Sequence, residues 1–258
     1  MCPRNYEEED FKTENLLPPP PGWGKDDLTD FCQKAYENGF YSFVHFRDWV
    51  DRLIKVDAAF SKGTKSLNNS PDYFSGFFFM KARSAFLGAS RLNLSGQLPE
   101  GYMLLRACIE NGLYGFKVWK DTNSQEIWLR RHDDNKTDRK SKMACRSVFS
   151  YQALLRLIKF CDKPLAGKIS NLYEHAIDYG AHPNERALSS SIEVTDAGKG
   201  GRRYDVHSFN IHKTARELAF KSTARVGVCV LMLFKHVFQT RFDLIGLSEE
   251  INNLRNGL

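Results

Sequence analysis

The sequence lacks the patterns that are typical of metal-binding proteins, of proteins stabilised by disulfide bonds and of membrane-spanning proteins. It has 6 cysteines in 258 residues, without CxxC spacing, which argues against a structural zinc site or a disulfide framework. No glutamate is followed three residues later by a histidine, as a di-iron bundle requires. The longest apolar run, residues 226–234, is too short to span a bilayer. We therefore expect no metal, no cofactor and no membrane segment, and reduced thiols fit a cytoplasmic protein.

Common catalytic signatures are also missing. There is no Gly-x-Ser-x-Gly nucleophile elbow. The glycine-rich residues 198–201 lack the spacing of a phosphate loop and precede a β-prone segment instead of a helix. His175 and Asp178 are three residues apart, but Gly180 and Pro183 interrupt the helical pattern beyond them, so we expect no metal ligand set there.

Charge is distributed unevenly along the chain. The overall charge is +6. Residues 1–30 contain three basic and eight acidic residues, so the remainder carries +11. Two segments account for that excess: residues 130–146, with seven basic against three acidic residues, and residues 199–241, with nine against two. They are candidates for binding nucleic acid or another acidic partner. The alternative is a solvated surface without a specific partner.

The periodicity of apolar residues is mostly helical from residue 25 onward. We expect residues 1–24 to form an acidic, proline-rich tail and residues 25–258 to form a single helical domain. Two β-prone arms flank the glycine-rich turn and predict a β-hairpin within this domain. The predicted fold is all-α, a multi-helix bundle with one small β-hairpin near 188–207. Asp26, Asp27 and Asp30 suit a helix start, by capping and by their interaction with the helix dipole. The further predicted helices cover about 40–56, 72–94, 100–120, 148–161, 164–179, 210–239 and 247–255, with a short helix around 127–129.

Arg106 and Glu110 interrupt the most apolar of these helices. Because almost every other side chain nearby is apolar, we expect this helix to be buried. A buried charge must be paired, so the four-residue spacing predicts contact between the two, or with a partner from elsewhere. The pair is either an internal clamp or part of a functional site.

A second polar run covers residues 178–186. Gly180 is expected to end a helix as a C′ residue, and Pro183 prevents its continuation. The resulting turn would carry the candidate site residues His182, Asn184, Glu185 and Arg186. The alternative interpretation is a capping histidine beside a surface Glu–Arg pair.

Three segments resemble motifs of uncharacterised bacterial helical proteins that are distantly similar to the HEPN-like class. They are residues 104–115 (LLRACIENGLYG), 128–131 (WLRR) and 179–186 (YGAHPNER), and the resemblance covers roughly residues 75–195. It implies a helical fold and a role among RNA-cutting toxins or defence components. The nuclease signature of that class is an arginine, four to six residues and then a histidine, and only Arg202 and His207 have this spacing here.

Three hypotheses about function follow. The leading one is a binding or regulatory protein of a defence or toxin-like system, without assignable catalysis. The second is a metal-independent ribonuclease using Arg202 and His207, or Arg106 with His182. The third is a nucleic-acid-binding protein, in which Lys199, Arg202 and Arg203 bind phosphates while Tyr204 or Phe209 stacks on a base.

Self-association is a further expectation. Residues 77–80 (FFFM) and 226–234 have more apolar surface than one helix face needs. Either both runs belong to the core, or one of them forms a homodimer contact.

Overall fold

The computed structural model describes residues 19–132, 138–181, 185–189, 191–198, 201–210 and 212–258. Its fold is the predicted one, a helical bundle with one two-stranded antiparallel hairpin. The helices are α1 Asp27–His45, α2 Arg47–Lys65, α3 Tyr73–Ser95, α4 Leu98–Lys120, α5 Thr122–Leu129, α6 Asp138–Val148, α7 Tyr151–Cys161, α8 Lys163–Ala176, α9 Glu185–Ser189, α10 Lys213–Val237, α11 Gln239–Leu244 and α12 Leu247–Leu254. The strands are β1 Ile192–Gly198 and β2 Gly201–Val206. A 3₁₀ turn, Arg130–His132, precedes α6, and a π-helical turn, Ile177–Ala181, follows α8.

Local sequence signals set several helix ends. The Asp26 carboxylate accepts hydrogen bonds from the backbone N–H groups of Leu28 and Thr29 and so caps α1. Gly96 ends α3 with φ 90°, a left-handed conformation that glycine adopts without strain. The expected unbroken helix over 40–56 is wrong, because Phe46, with φ −121° and ψ 35°, separates α1 from α2. The Phe46 ring is buried, 5.4 Å from that of Phe220.

The core lies around α4 and α10, with α3 packed along α4. Its largest buried side chains are aromatic and include Phe60, Phe79, Phe86 and Phe234. Most of the 226–234 run belongs to this core. In the 77–80 run, Phe78 and Phe79 are buried while Phe77 and Met80 are exposed. Of the two runs, the 77–80 run is therefore the one that keeps a candidate dimer face.

Two local predictions differ from the structure. Part of the basic segment 130–146, for which the sequence predicts no helix, forms α6, whose inward side includes the buried Cys145. Gly180 does not adopt the left-handed C′ conformation but lies in the π-helical turn. A Cβ at this position would lie 2.0 Å from the Pro99 carbonyl oxygen. Gly180 is therefore explained by close backbone packing against the start of α4.

The hairpin pairs Ile192 with Val206 and Val194 with Tyr204, with an irregularity between Asp196 and Gly198. Both strands are largely exposed. Among the described residues, no helix is both long and apolar enough to cross a membrane.

Candidate functional site

One face of α4 carries polar and aromatic side chains at four-residue intervals: Tyr102, Arg106, Glu110 and Tyr114. Residues four apart share a helix face, so these four form a continuous row, which we call the α4 row. Side chains of α8 and the π-helical turn contact this row, and Tyr151 of α7 packs on the α8 residue Tyr173. The row brings together residues that are about 70 positions apart in sequence.

Arg106 and Glu110 form the predicted pair. The Arg106 Nε donates to the Glu110 Oε1 at 2.9 Å, and the Tyr173 hydroxyl of α8 donates to the same oxygen at 2.9 Å. The Arg106 guanidinium also lies over the Tyr173 ring, 5.4 Å from its centroid. The expected burial of the pair is wrong, because the two side chains remain 28% and 38% exposed. Both charges are therefore accessible to a ligand.

Tyr173 is held between the carboxylate and a second ring. Its ring stacks on that of Tyr151 with centroids 3.8 Å apart and planes inclined by 9°. Burial, and then the nearby negative charge of Glu110, raise the pKa of Tyr173 to about 12. Tyr173 is thus a neutral hydrogen-bond donor at physiological pH.

A second cluster lies at the other end of the row. The Tyr102 hydroxyl is 3.4 Å from the His175 Nε2, and the Tyr179 ring lies 5.5 Å from that of Tyr102. Burial lowers the pKa of His175 and raises that of Tyr102 to about 12. Both groups are therefore predominantly uncharged at neutral pH.

The described part of the polar run 178–186 adjoins this cluster. Arg186 pairs with Asp178 at 3.2 Å across the turn, while Glu185 is exposed at the start of α9. The Arg186–Asp178 pair replaces the surface pair that the sequence suggested between Glu185 and Arg186. The candidate residues His182 and Asn184 lie outside the described residues.

The hairpin does not bring Arg202 and His207 together. Successive residues of a strand point to opposite faces, so two residues five apart lie on opposite sides and about 16 Å apart along the chain. His207 contacts Glu193 at 3.1 Å, whereas Arg202 is opposite Asp196 in the ladder. This geometry does not form the arginine–histidine pair that the ribonuclease hypothesis needs.

The basic segment 199–241 does not form one surface. Arg203 pairs with Asp205 at 2.9 Å, and β1 places Asp196 opposite Arg202. Arg216 is only 4% exposed, and Arg241 donates to the Ser66 carbonyl at the end of α2. Lys199 lies outside the described residues. The summed charge of this segment therefore overstates its ability to bind an acidic partner.

The basic segment 130–146 keeps a shared face. Arg139, Lys142 and Arg146 line one depression of about 450 Å³ together with Met143. In the part of the chain that the structure describes, neither Arg139 nor Arg146 forms an ion pair with a carboxylate. We call this surface the α6 face.

Arg131 lies near one end of the α4 row, in the 3₁₀ turn that contacts α6. Burial raises the pKa of Tyr114, the charge of Glu110 raises it further, and the charge of Arg131 opposes this rise. Tyr114 therefore lies between an acidic and a basic residue.

Sequence reasoning missed Tyr102 and Tyr114 as members of the α4 row, and it missed Tyr173, which contacts the row, and Tyr151, which packs on Tyr173. The four-residue spacing of Tyr102 and Tyr114 around Arg106 and Glu110 was the available signal. Nothing in the sequence indicates that α7 and α8 supply Tyr151 and Tyr173. Among the described residues, no three His, Cys, Asp or Glu side chains cluster closely enough to hold a metal ion.

No family model, curated protein or solved structure matches this chain. Its class is therefore defined by the fold and the site alone: an all-α protein with a small hairpin and a partly exposed Arg106–Glu110 pair bonded to a buried tyrosine.

Proposed function

We propose that this chain is a binding protein whose acidic partner is single-stranded RNA, and that it performs no catalysis on that partner. The observation that carries the proposal is the α6 face, where Arg139, Lys142 and Arg146 occupy one side of an exposed helix. The guanidinium groups of Arg139 and Arg146, which form no ion pair with a carboxylate among the described residues, can bind phosphates of one strand.

The neighbouring side chains suit a single strand better than a duplex. Met143 is exposed between the basic residues and offers an apolar contact for an unpaired base. Arg106 is partly exposed on α4, where its planar guanidinium can stack on a base or bind a phosphate. The resemblance to the HEPN-like class also favours RNA over other polyanions, and it supports a role in a bacterial defence or toxin-like system.

The test measures, by fluorescence anisotropy, how salt concentration changes binding to a labelled single-stranded RNA of about 16 nucleotides. We expect the logarithm of the association constant to fall linearly with the logarithm of salt concentration. The Arg139→Gln/Arg146→Gln variant should reduce that slope by about 1.4, since each lost phosphate contact on a single strand contributes about 0.7.

The matched control is Arg202→Gln/Arg203→Gln, which removes the same charge from the exposed hairpin. It should bind RNA as the wild type does. If both double variants weakened RNA binding equally, net charge and not the α6 face would explain the affinity, which would contradict the proposal. An affinity that does not depend on salt would also overturn it. Tighter binding of single-stranded DNA or of a duplex would contradict the choice of RNA strand.

The ribonuclease hypothesis is tested on the same RNA with EDTA present. We expect the RNA to stay intact, because Arg202, in β2, and His207, just after it, are about 16 Å apart along the chain. Cleavage by the wild type that disappears in His207→Ala or His182→Ala would replace the binding proposal by an enzymatic one.

A further inference from the structure

A separate cavity of about 240 Å³ opens between α8, α10 and the segment after α12. Three basic residues line it, one from each of these elements: Lys168, Arg225 and Arg255. Asn171 adds a neutral polar group, and no carboxylate side chain lines the cavity. The cavity shares no residue with the α6 face or with the Arg106–Glu110–Tyr173 cluster.

The charges of all three cations act on one group, the Cys229 thiol. Each of them opposes, through its charge, the rise in the pKa of the Cys229 thiol at the cavity floor. Burial is the larger effect and raises that pKa to about 11, so the thiol stays protonated and does not supply a compensating negative charge. The cavity is therefore positively charged at neutral pH.

Across the described residues, no carboxylate lies within ion-pair distance of Lys168, Arg225 or Arg255. Three like charges around one opening repel each other, and Arg225 is only partly exposed. An anion bound among them would relieve this repulsion.

The floor of the cavity is apolar. Val228 and Cys229 are buried there, and Leu172 and Met232 are half-buried. A small inorganic ion would leave this surface in contact with water, whereas an alkyl or aryl group would cover it. The volume of about 240 Å³ limits the ligand to a small molecule.

From this geometry we infer that the cavity is a binding site for a small amphipathic anion, with a carboxylate or phosphate head among Lys168, Arg225 and Arg255 and a short apolar body on Val228 and Met232. This site goes beyond the proposed RNA binding, because it lies on different elements and takes a ligand with an apolar body.

The test measures binding of four matched six-carbon ligands by calorimetry: hexanoate, hexyl phosphate, hexanol and hexylamine. Hexanoate or hexyl phosphate should bind, and the preferred one identifies the head group. Hexanol and hexylamine should bind at least about tenfold more weakly, because they offer no negative charge to the three cations. Inorganic phosphate should also bind more weakly than hexyl phosphate, since it leaves the apolar floor uncovered.

The Lys168→Gln/Arg255→Gln variant should lose about tenfold or more in affinity for the anions. Both positions are exposed, so the substitutions should leave the fold intact, which circular dichroism checks. Arg202→Gln/Arg203→Gln, with the same loss of charge elsewhere, should bind as the wild type does. Hexanol binding as tightly as the anions, inorganic phosphate matching hexyl phosphate, or undiminished affinity in the double variant would each overturn the inference.

Discussion

The Tyr173 hydroxyl donates to the Glu110 Oε1 at 2.9 Å, joining α8 to α4. Because the acceptor is a carboxylate, the hydrogen bond is stronger than one between two neutral groups. It also exists only while Tyr173 is protonated. The stability of the α4–α8 contact is therefore linked to pH on the alkaline side.

The first prediction concerns this linkage. The pKa of Tyr173 is raised in the folded state to about 12, whereas an unfolded tyrosine titrates near about 10. The stabilisation is complete below about pH 10 and is lost as the pH rises toward the folded value. We expect Glu110→Gln to lower the pKa of Tyr173, because it removes a negative charge that opposes tyrosinate.

Absorbance titration of tyrosinate measures this shift, and chemical denaturation at several alkaline pH values measures the stability. Tyr173→Phe should make stability fall less steeply with pH, while the control Tyr204→Phe, on the exposed hairpin, should leave the profile unchanged. An identical titration curve in the wild type and Glu110→Gln would contradict this account of the contact.

The second prediction concerns a buried guanidinium. The Arg216 Nη2 donates to the Ser42 hydroxyl and, at 2.9 Å, to the Leu94 carbonyl, while its Nε has no partner among the described residues. Burial lowers the pKa of Arg216. Ser42→Ala should destabilise the protein by about 1–3 kcal/mol, because a buried donor of the guanidinium loses its acceptor.

Arg216→Met should reduce the cost of Ser42→Ala, because an apolar side chain of similar length needs no acceptor. Urea unfolding of the two single variants and the double variant measures the coupling. Strictly additive free energies would show that the two side chains do not interact in solution.

The third prediction separates two helical glycines. Gly180→Ala places a Cβ 2.0 Å from the Pro99 carbonyl oxygen, so the backbone must move, and we expect a loss of about 1–3 kcal/mol. Gly167 lies exposed in α8, and a Cβ there meets nothing within 4 Å. Gly167→Ala should therefore stabilise the protein by about 0.5–1 kcal/mol. Thermal unfolding compares the two, and a harmless Gly180→Ala would contradict the close packing of the π-helical turn.

The fourth prediction concerns the apolar face of α3. Four side chains on this face are 62%, 53%, 47% and 44% exposed: Tyr73, Phe77, Met80 and Leu87. Together with the polar Ser84, these residues are separated by alternating steps of four and three positions. This spacing is typical of the contact line between two packed helices. Aromatic rings bury about 150–250 Å² each, so the face offers roughly 300–400 Å². A standard interface buries about 800 Å² per partner, and somewhat over half of that area is apolar. The exposed face of α3 therefore supplies most of the apolar area that a standard interface requires.

We therefore expect α3 to pair with α3 of a second copy. Phe77→Glu should convert a dimer into a monomer in sedimentation velocity, since it places a charge in the centre of the seam. The control is Phe40→Glu, an equally exposed aromatic residue on α1, which should leave the dimer unchanged. A wild-type monomer at all concentrations would refute self-association through this face.

Much of the fold could be predicted from the sequence, because the determining interactions are local. The helical period, the Asp26 cap and the glycine-rich turn each act over a few residues, and the predicted helices and hairpin correspond closely to the observed ones. The pairing of Arg106 with Glu110 is equally local, since residues four apart meet on any helix. The break between α1 and α2 at Phe46 was not predicted. Phe46 packs on Phe220, and a contact between residues so far apart in the chain cannot be read from a local pattern.

The surroundings of each charge depended on contacts between distant segments. From the sequence, residues 199–241 form one basic segment. Folding places Asp196 of β1 opposite Arg202, buries Arg216 and moves Arg225 to a cavity that it shares with Lys168 and Arg255. The helical class, the hairpin and the net charge of +6 follow from the order of the residues, because periodicity and composition do not depend on distant neighbours. Which charges are paired, buried or left facing a cavity depends on how the helices pack, because packing sets the distances between side chains of distant segments.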